Sequence, residues 1–277
     1  MSVFDTYVSS VLNYASEIWG FHKATDVEKI HTKFCKRVLG LGKKSCNNFV
    51  YYELGRYPLN IIRKLRIIKY WLKLRLSPNC ILQACYRDML NQNDIWLMNV
   101  KEELYRIGLG YIWENPDFYG KPFDLVKSRL LDIFRQECFN KISTSPKGHL
   151  YQYIPDSFCL QFYIKKVTNT KFQKEITKIR TSSHTLNIEK GRYRNIERND
   201  RKCTLCDRND IEDEFHFSLL CPFYADLRIL YIKKFYRIRP SVFKFLQLLR
   251  TNNIKELNMF GKYLHLANKR RVAAIQM

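Results

Sequence analysis

The chain has 277 residues, of which 46% are apolar, so its composition supports a folded core and argues against intrinsic disorder. Lysine and arginine number 48 against 26 acidic residues, and the resulting net charge of +22 favours polyanionic partners. No apolar stretch approaches the roughly 20 residues of a membrane-spanning helix, and the N-terminus lacks the pattern of a secretory signal. We therefore expect an intracellular protein, in the nucleus or the cytoplasm, without a membrane partner.

Helical periodicity dominates the first part of the chain. Residues 1–40 carry apolar positions at helical spacing, which predicts two packed helices. The clearest amphipathic helix spans residues 60–76. Its apolar face consists of Ile61, Leu65, Ile68 and Leu72. Arg66, Lys69 and Lys73 adjoin this face and are candidate phosphate contacts, although a solvated helix face accounts for them equally well.

The middle of the chain leads into a strongly basic segment. Residues 84–180 alternate helical patterns with turn signals, and 124–142 is the best helix candidate there. From Ile164 to Lys202 there are 12 basic residues against four acidic ones, interleaved with rings that can stack on bases. The candidate phosphate contacts here are Arg192, Arg194, Arg198 and Arg201. A basic scaffold surface is the alternative, and a short β-hairpin turning at Lys190-Gly191 is also predicted.

Four residues near the C-terminus have the spacing of metal ligands. Cys203 and Cys206 form a Cys-x-x-Cys turn, and His216 and Cys221 follow at distances that let them close the other side of an ion. Four such ligands predict one structural Zn²⁺ without an open position for water. A redox dithiol or core packing remains the alternative, but a redox Cys-x-x-Cys usually follows a buried strand, whereas this pair follows a polar run. The other six cysteines show no paired spacing and are interpreted as reduced thiols.

The same segments resemble a known family. Ser182–Tyr193, the Cys-His cluster with Ile211–His216, and Leu220–Arg228 look like the C-terminal tail of reverse transcriptases from non-LTR (LINE-type) retrotransposons. Tyr7–Gly20 resembles the thumb region that follows the polymerase palm in those proteins. The resemblance spans most of the chain and is weakest from 77 to 160.

The resemblance implies a function in binding nucleic acid. It implies association with element RNA and target DNA, with the Cys-His site organising the tail. It does not carry over polymerase activity, because the palm needs metal-bound aspartates and the chain contains no Asp-Asp pair. We therefore expect a non-catalytic fragment that starts after the palm.

The spacer between Cys206 and His216 sets this motif apart from retroviral zinc knuckles, which have a shorter one. Of its nine residues, five are acidic. They are Asp207, Asp210, Glu212, Asp213 and Glu214. Because carboxylates repel phosphates, we expect nucleic-acid contacts on the basic flank before Cys203.

Three alternatives stay open. A retroelement-derived nuclease would need acidic residues, and Pro116-Asp117 and Pro155-Asp156 are candidate starts, although neither is followed closely by an acidic-x-Lys pair. A decayed element copy without a selected role would show the same sequence pattern. A cysteine-histidine nucleophile is also not excluded, since its partners would meet only in the fold.

The predicted fold is mainly α, with a small zinc-stapled tail. Four regions are expected along the chain: a thumb-like helical region at 1–76, a helical connection at 77–180, the zinc-binding tail at 181–235 and C-terminal helices at 236–277.

Overall fold

A computed structural model describes residues 3–22, 24–115 and 120–276, and within them the chain is mainly helical, as predicted. The α-helices are Ser9–Leu12, Ser16–Trp19, Thr25–Leu39, Asn47–Leu54, Leu59–Arg75, Cys80–Asn91, Ile95–Arg106, Tyr111–Glu114, Pro122–Ser143, Phe162–Lys166, Thr170–Arg180, Asn187–Tyr193, Ala225–Tyr231, Lys234–Arg237, Val242–Arg250 and Ile254–Gln276. Single π-helical turns span Phe4–Val8 and His216–Leu220, and 3₁₀ turns span Tyr151–Tyr153, Arg198–Asp200 and Pro222–Tyr224. Strand pairing in the described residues is confined to the isolated antiparallel bridges Leu54–Leu160 and Lys202–Ile211.

The chain divides into two compact units that are not contiguous in sequence. Unit 1 comprises Met1–Lys33 and Tyr57–Glu137, and unit 2 comprises Phe34–Arg56 and Cys138–Met277. The region boundaries expected from sequence at 76/77, 180/181 and 235/236 fall inside these units. Composition and spacing gave no sign that an early segment belongs with the C-terminal half.

The N-terminal prediction of two helices is wrong in its first half. Only the second helix, Thr25–Leu39, is long. The stretch before it is broken into short pieces, because Ala15 adopts a left-handed backbone with φ of 51°. The Asn13 side chain bonds back to the Ser9 carbonyl at 2.7 Å and stabilises the interruption.

Unit 1 is built around the Leu59–Arg75 helix, which closely matches the predicted range of 60–76. Ile61 and Ile68 of the predicted apolar face are buried, whereas Leu65 and Leu72 are only partly buried. The most deeply buried side chains are Ile67 and Trp71, one position before Ile68 and Leu72. The helix packs against apolar side chains of Ile95–Arg106 and of the first half of Pro122–Ser143. Trp71 stacks on Trp113 with ring centroids 5.6 Å apart.

Unit 2 has a separate core in which Thr170–Arg180 lies along the C-terminal helix Ile254–Gln276. Gly261 makes this close approach feasible, because a Cβ there would lie 2.6 Å from the Cβ of Phe172. The same core buries Phe245 and Tyr263. It therefore fixes the C-terminal helix next to the segment that carries the cysteines.

A buried ionic network joins the early segment Phe34–Arg56 to the rest of unit 2. Glu53 is fully buried and accepts from Arg180 Nε at 3.1 Å and from the Tyr163 hydroxyl at 2.6 Å. The other Arg180 donors reach the Leu249 carbonyl and the Gln161 amide oxygen. Burial raises the pKa of Tyr163 well above its ordinary value, and the adjacent Glu53 carboxylate adds to the effect.

The structure also corrects the predicted β-hairpin at Lys190-Gly191. These residues lie in the helix Asn187–Tyr193, and Gly191 serves close packing rather than a turn. A Cβ on Gly191 would meet Cγ of Arg201 at 2.5 Å. The backbone pairing that does form lies further on, between Lys202 and Ile211.

None of the helices in the described part of the chain combines the length and apolar character that crossing a membrane requires.

We expect Glu53→Gln to lower the free energy of unfolding by about 3 kcal/mol, because it leaves the Arg180 charge buried without its counter-ion. Lys178→Ala breaks the partly exposed Lys178–Glu175 pair and should cost only about 0.5 kcal/mol. Urea unfolding of both variants measures the difference. Equal losses would show that the buried network has no special role.

Candidate metal centre and basic groove

A short hairpin presents the first two cysteines. The backbone N–H of Cys203 donates to the carbonyl of Asp210 at 2.9 Å, and that of Glu212 donates to the carbonyl of Arg201 at 2.9 Å. Between these bonds the chain turns, so that Cys203 and Cys206 face the same side. The Cys-x-x-Cys spacing therefore becomes a pair of neighbouring thiols.

The other two candidate ligands lie at the two ends of one helical turn. His216 opens the π-helical turn His216–Leu220, and the N–H of Cys221 closes it by donating to the His216 carbonyl at 2.8 Å. Pro222 then begins a 3₁₀ turn. One tight turn thus brings His216 and Cys221 to the hairpin.

The four side chains form one cluster, which confirms the grouping predicted from sequence. Their ligand atoms all lie within 4.8 Å of one another. Cys203 Sγ is 3.9 Å from Cys221 Sγ, and Cys206 Sγ is 3.5 Å from His216 Nε2. Around a tetrahedral ion with bonds of about 2.3 Å to sulfur and 2.0 Å to nitrogen, ligand atoms lie roughly 3.5–3.8 Å apart. These two separations are close to those of a metal site, and the group as a whole is compact enough to hold one ion.

The local electrostatics favour ionised sulfur at one of the three thiols. The Cys221 thiol and His216 hydrogen-bond to Cys203 and, with the backbone N–H of Leu205, lower its pKa well below the ordinary value against the effect of burial. The partner thiol Cys221 has a raised pKa because it supplies the proton to Cys203. Backbone amides of Arg208 and Phe223 point at the sulfurs of Cys206 and Cys221. Such amides stabilise thiolates once a metal displaces the protons.

Asp210 approaches the face of the histidine that points away from the cluster. Its Oδ2 lies 3.5 Å from His216 Nδ1, a separation at which the attraction is electrostatic and not a full hydrogen bond. Arg208 holds the same carboxylate oxygen at 2.8 Å. A carboxylate placed there orients the imidazole, so that Nε2 faces the sulfurs.

The remaining acids of the spacer are used inside unit 2. Asp213 accepts the His216 N–H at 2.8 Å, Glu212 is ion-paired with Arg271, and Glu214 is hydrogen-bonded to Ser182 and His184. Asp207 is exposed. The spacer is therefore a set of internal contacts more than a free acidic loop, which removes much of the repulsion expected from its composition.

Glu212 ties the hairpin to two other elements. Its oxygens accept from Arg271 Nε and Nη2 at 2.6 and 2.7 Å, and both residues are 2% exposed or less. The same carboxylate accepts the N–H of Asn187 at 2.7 Å, at the start of the Asn187–Tyr193 helix. The Asn187 side chain in turn donates to the Lys202 carbonyl at 2.7 Å.

A serine, a histidine and a glutamate also meet beside the hairpin, but in an arrangement that is structural. Ser182 Oγ and His184 Nε2 both bind the same oxygen of Glu214. His184 Nδ1 accepts the backbone N–H of Leu186, so neither ring nitrogen is left to activate the serine. Although burial raises it, the pKa of Glu214 is lowered to about 2 by His184 and the hydroxyl.

The predicted basic residues near the cluster divide by their contacts. Arg201 donates to the carbonyls of Ile188 and Ile196, and Arg192 pairs with Glu189 at 2.5 Å. Arg194 and Arg198 are exposed. Sequence reasoning missed Arg228, whose Nη2 donates to the Cys221 carbonyl at 2.6 Å. Arg228 follows Cys221 by only seven residues, and this short separation could have marked it as a neighbour of the cluster.

In unit 1 the other three predicted cations share one open groove of about 950 Å³. Arg66, Lys69 and Lys73 all line it, and Arg66 also donates to the Asn13 carbonyl at 2.5 Å. The rest of the lining consists of Glu17, Tyr70, Leu72, Leu76, Ser77, Pro78 and Phe123. The groove thus combines positive charge with apolar and aromatic walls.

The candidate nuclease residues are not brought together with other acids by any described contact. Asp117 lies outside the described residues. Asp156 lines a cavity of about 280 Å³ in unit 2 together with the cations Lys165, Arg180 and Arg250.

Comparison with family models, with curated proteins and with solved structures finds no match to the chain.

Metal analysis of the purified protein should give about one ion per chain, falling to near zero in the double variant Cys203→Ser/Cys206→Ser because the site then lacks two of its four ligands. The matched control is Cys80→Ser/Cys85→Ser, which replaces two exposed cysteines in the other unit. Retention of the ion by the first variant would refute the site.

Asp210→Asn should weaken metal affinity roughly 10–100-fold, because the imidazole loses the carboxylate that orients it. Asp207→Asn, also in the spacer but exposed, should leave the affinity unchanged. Competition with a chromophoric chelator measures both. An identical affinity for the two variants would exclude a role for Asp210.

Proposed function

We propose that the chain is a non-catalytic nucleic-acid-binding protein, with single-stranded RNA or DNA held in the basic groove of unit 1. The observation that carries the proposal is that Arg66, Lys69 and Lys73 line one groove. The net charge of +22 supports the same partner class.

The groove has the chemistry that a single strand needs. Lys69 and Lys73 are exposed and lie four residues apart on one helix, about 6 Å along its axis, so each can contact a different phosphate. Tyr70 and Phe123 add aromatic surface, on which bases stack with little regard to sequence. Glu17 is the one acidic side chain among the described lining residues.

The contacts of the Leu59–Arg75 helix separate structural cations from available ones. Lys64 pairs with Glu103 at 2.9 Å, and Arg75 donates to the Ile112 carbonyl at 2.6 Å. Arg63 is buried against Glu28. Arg66 donates to the Asn13 carbonyl, so Lys69 and Lys73 are the two cations of this helix without such a contact among the described residues. Both line the groove, which therefore carries charge that the fold does not use.

We further propose that the metal is zinc and that its role is structural. Three thiolates and one imidazole are a common donor set for a closed tetrahedral zinc site. Cys203, Cys206, His216 and Cys221 would hold the ion, which when bound supplies a cross-link between the hairpin and the turn after it. With all four positions taken by protein, no ligand site is left for catalysis.

The resemblance to the tail of LINE-type reverse transcriptases is consistent with both proposals. It covers the Cys-His segment with its flanks and the thumb-like stretch Tyr7–Gly20, and it makes element RNA and target DNA the first partners to test. An in-frame palm-encoding sequence directly upstream of Met1 in the genome would support this origin. Its absence there would favour a binder of other descent.

Binding of short fluorescent single-stranded RNA and DNA should weaken as salt rises, and Lys69→Gln/Lys73→Gln should reduce both the affinity and the salt dependence. With about 0.7 per phosphate contact on single strands, two lost contacts make the slope of log K against log salt shallower by about 1.4. Fluorescence anisotropy over a salt series measures the slope.

The matched control is Lys33→Gln/Lys127→Gln, which removes two exposed lysines of the same unit outside the groove. It changes the net charge equally and should leave the slope nearly unchanged. Equal effects of the two double variants would show that binding follows overall charge and not the groove. No binding at low salt would overturn the proposed function.

A further inference from the structure

A second concave surface lies in unit 2 and shares no residue with the basic groove or the metal cluster. It has a volume of about 320 Å³ and is lined mainly by residues 229–237 and the start of the Ile254–Gln276 helix. This volume is at the lower end of the range for binding pockets, enough for one or two bulky side chains.

The wall of this pocket is apolar and exposed. Ile229 and Leu230 are 61% and 64% exposed, and Met259 is 40% exposed. The helix Ala225–Tyr231 buries Leu227 against the core of unit 2 and presents Ile229 and Leu230 outward. Adjacent exposed aliphatic residues that line a cavity are a feature of protein interaction sites.

The rim of the pocket is basic. Its cations are Lys233, Lys234, Arg237 and Lys255. The acidic lining residue, Glu256, is already bound by Lys233, Tyr236 and Thr251. Arg237 is half-buried, and its Nε has no hydrogen-bond partner among the described residues. That nitrogen is itself buried, so carboxylates from a partner would pair with the exposed Lys234 and Lys255 on the rim.

The aromatic residues of the pocket are poor stacking platforms for bases. The Tyr231 ring is covered by Lys262, whose Nζ lies 4.9 Å from the ring centroid. Tyr236 is only 8% exposed, and its hydroxyl donates to Glu256 at 2.9 Å. Since single strands are held largely by stacking on exposed rings, this surface favours aliphatic contacts over nucleic acid. Its concave shape suits an inserted side chain better than a flat lipid surface.

We infer that this pocket docks a short acidic segment of another protein, with a bulky apolar side chain inserted between Ile229, Leu230 and Met259. Carboxylates flanking that side chain would lie over Lys234, Arg237 and Lys255. The anchor supplies the buried apolar area, and the charges fix the orientation of the segment and select against basic partners. This interaction is separate from nucleic-acid binding and does not depend on it.

Selection of a random phage-displayed peptide library on the immobilised, metal-loaded 277-residue chain tests the inference. The enriched peptides should carry bulky apolar residues flanked by Asp or Glu. Synthetic versions of them should bind Leu230→Glu, and separately Lys234→Glu/Lys255→Glu, about tenfold or more weakly than the original chain.

Two control variants keep the test specific. Phe243→Glu changes another highly exposed apolar residue of unit 2, and Lys171→Glu/Lys269→Glu changes two exposed lysines outside the pocket. Both should bind the peptides as the original chain does. Circular dichroism and metal content verify that every variant is folded.

Three results would overturn the inference: no enriched peptides, enriched peptides without acidic residues, or equal loss of binding in pocket and control variants. Single-stranded RNA and phosphatidylserine vesicles are tested against the same variants. If Leu230→Glu abolishes binding to either of these while peptides do not bind, the pocket serves a nucleic acid or a lipid surface instead.

Discussion

Glu212 is the residue on which the candidate site most depends. Its buried carboxylate joins the hairpin of Cys203 and Cys206 to Arg271 on the C-terminal helix and to the start of the Asn187–Tyr193 helix. A buried carboxylate is stable only when its charge and its lone pairs are matched, and these donors do both. Packing and ionic contacts thus help to position the two cysteines. A bound ion would add a cross-link between the hairpin and the turn after it.

The structure changes the interpretation of the acidic spacer. From sequence alone, five carboxylates between two ligands suggest a surface that repels phosphates. In the fold, Asp210 and Asp213 contact His216, Glu212 is ion-paired with Arg271, and Glu214 is hydrogen-bonded to Ser182 and His184. Carboxylates that are paired inside the fold thus contribute little to the surface potential, so a count of charges in the sequence overestimates it. Arg201 differs, because its guanidinium binds neutral backbone carbonyls and so keeps its charge.

The spacing of the ligands and the periodicity of apolar residues predicted those features that depend on residues close together in sequence. The ligand set follows from spacing, because two turns suffice to bring four side chains together. The long helices Leu59–Arg75 and Pro122–Ser143 follow from apolar periodicity. Periodicity could not predict that Gly191 serves to admit Arg201, since that contact joins a helix to a later loop. Nor could it separate Lys69 and Lys73 from the other cations of Leu59–Arg75, because Lys64, Arg66 and Arg75 bind residues distant in sequence.

The interleaved order of the two units has a consequence for how the chain is made and divided. Phe34–Arg56 emerges early during synthesis, yet the partners of Glu53, among them Arg180, come more than a hundred residues later. Until those partners have been synthesised, the apolar side chains of this segment and the Glu53 carboxylate lack the residues that they contact in the folded chain. Unit 2 can therefore be completed only after most of the chain has been synthesised. A fragment beginning at Cys138 would lack this segment, so any recombination event or expression boundary that separates the halves at that point breaks a unit instead of liberating one.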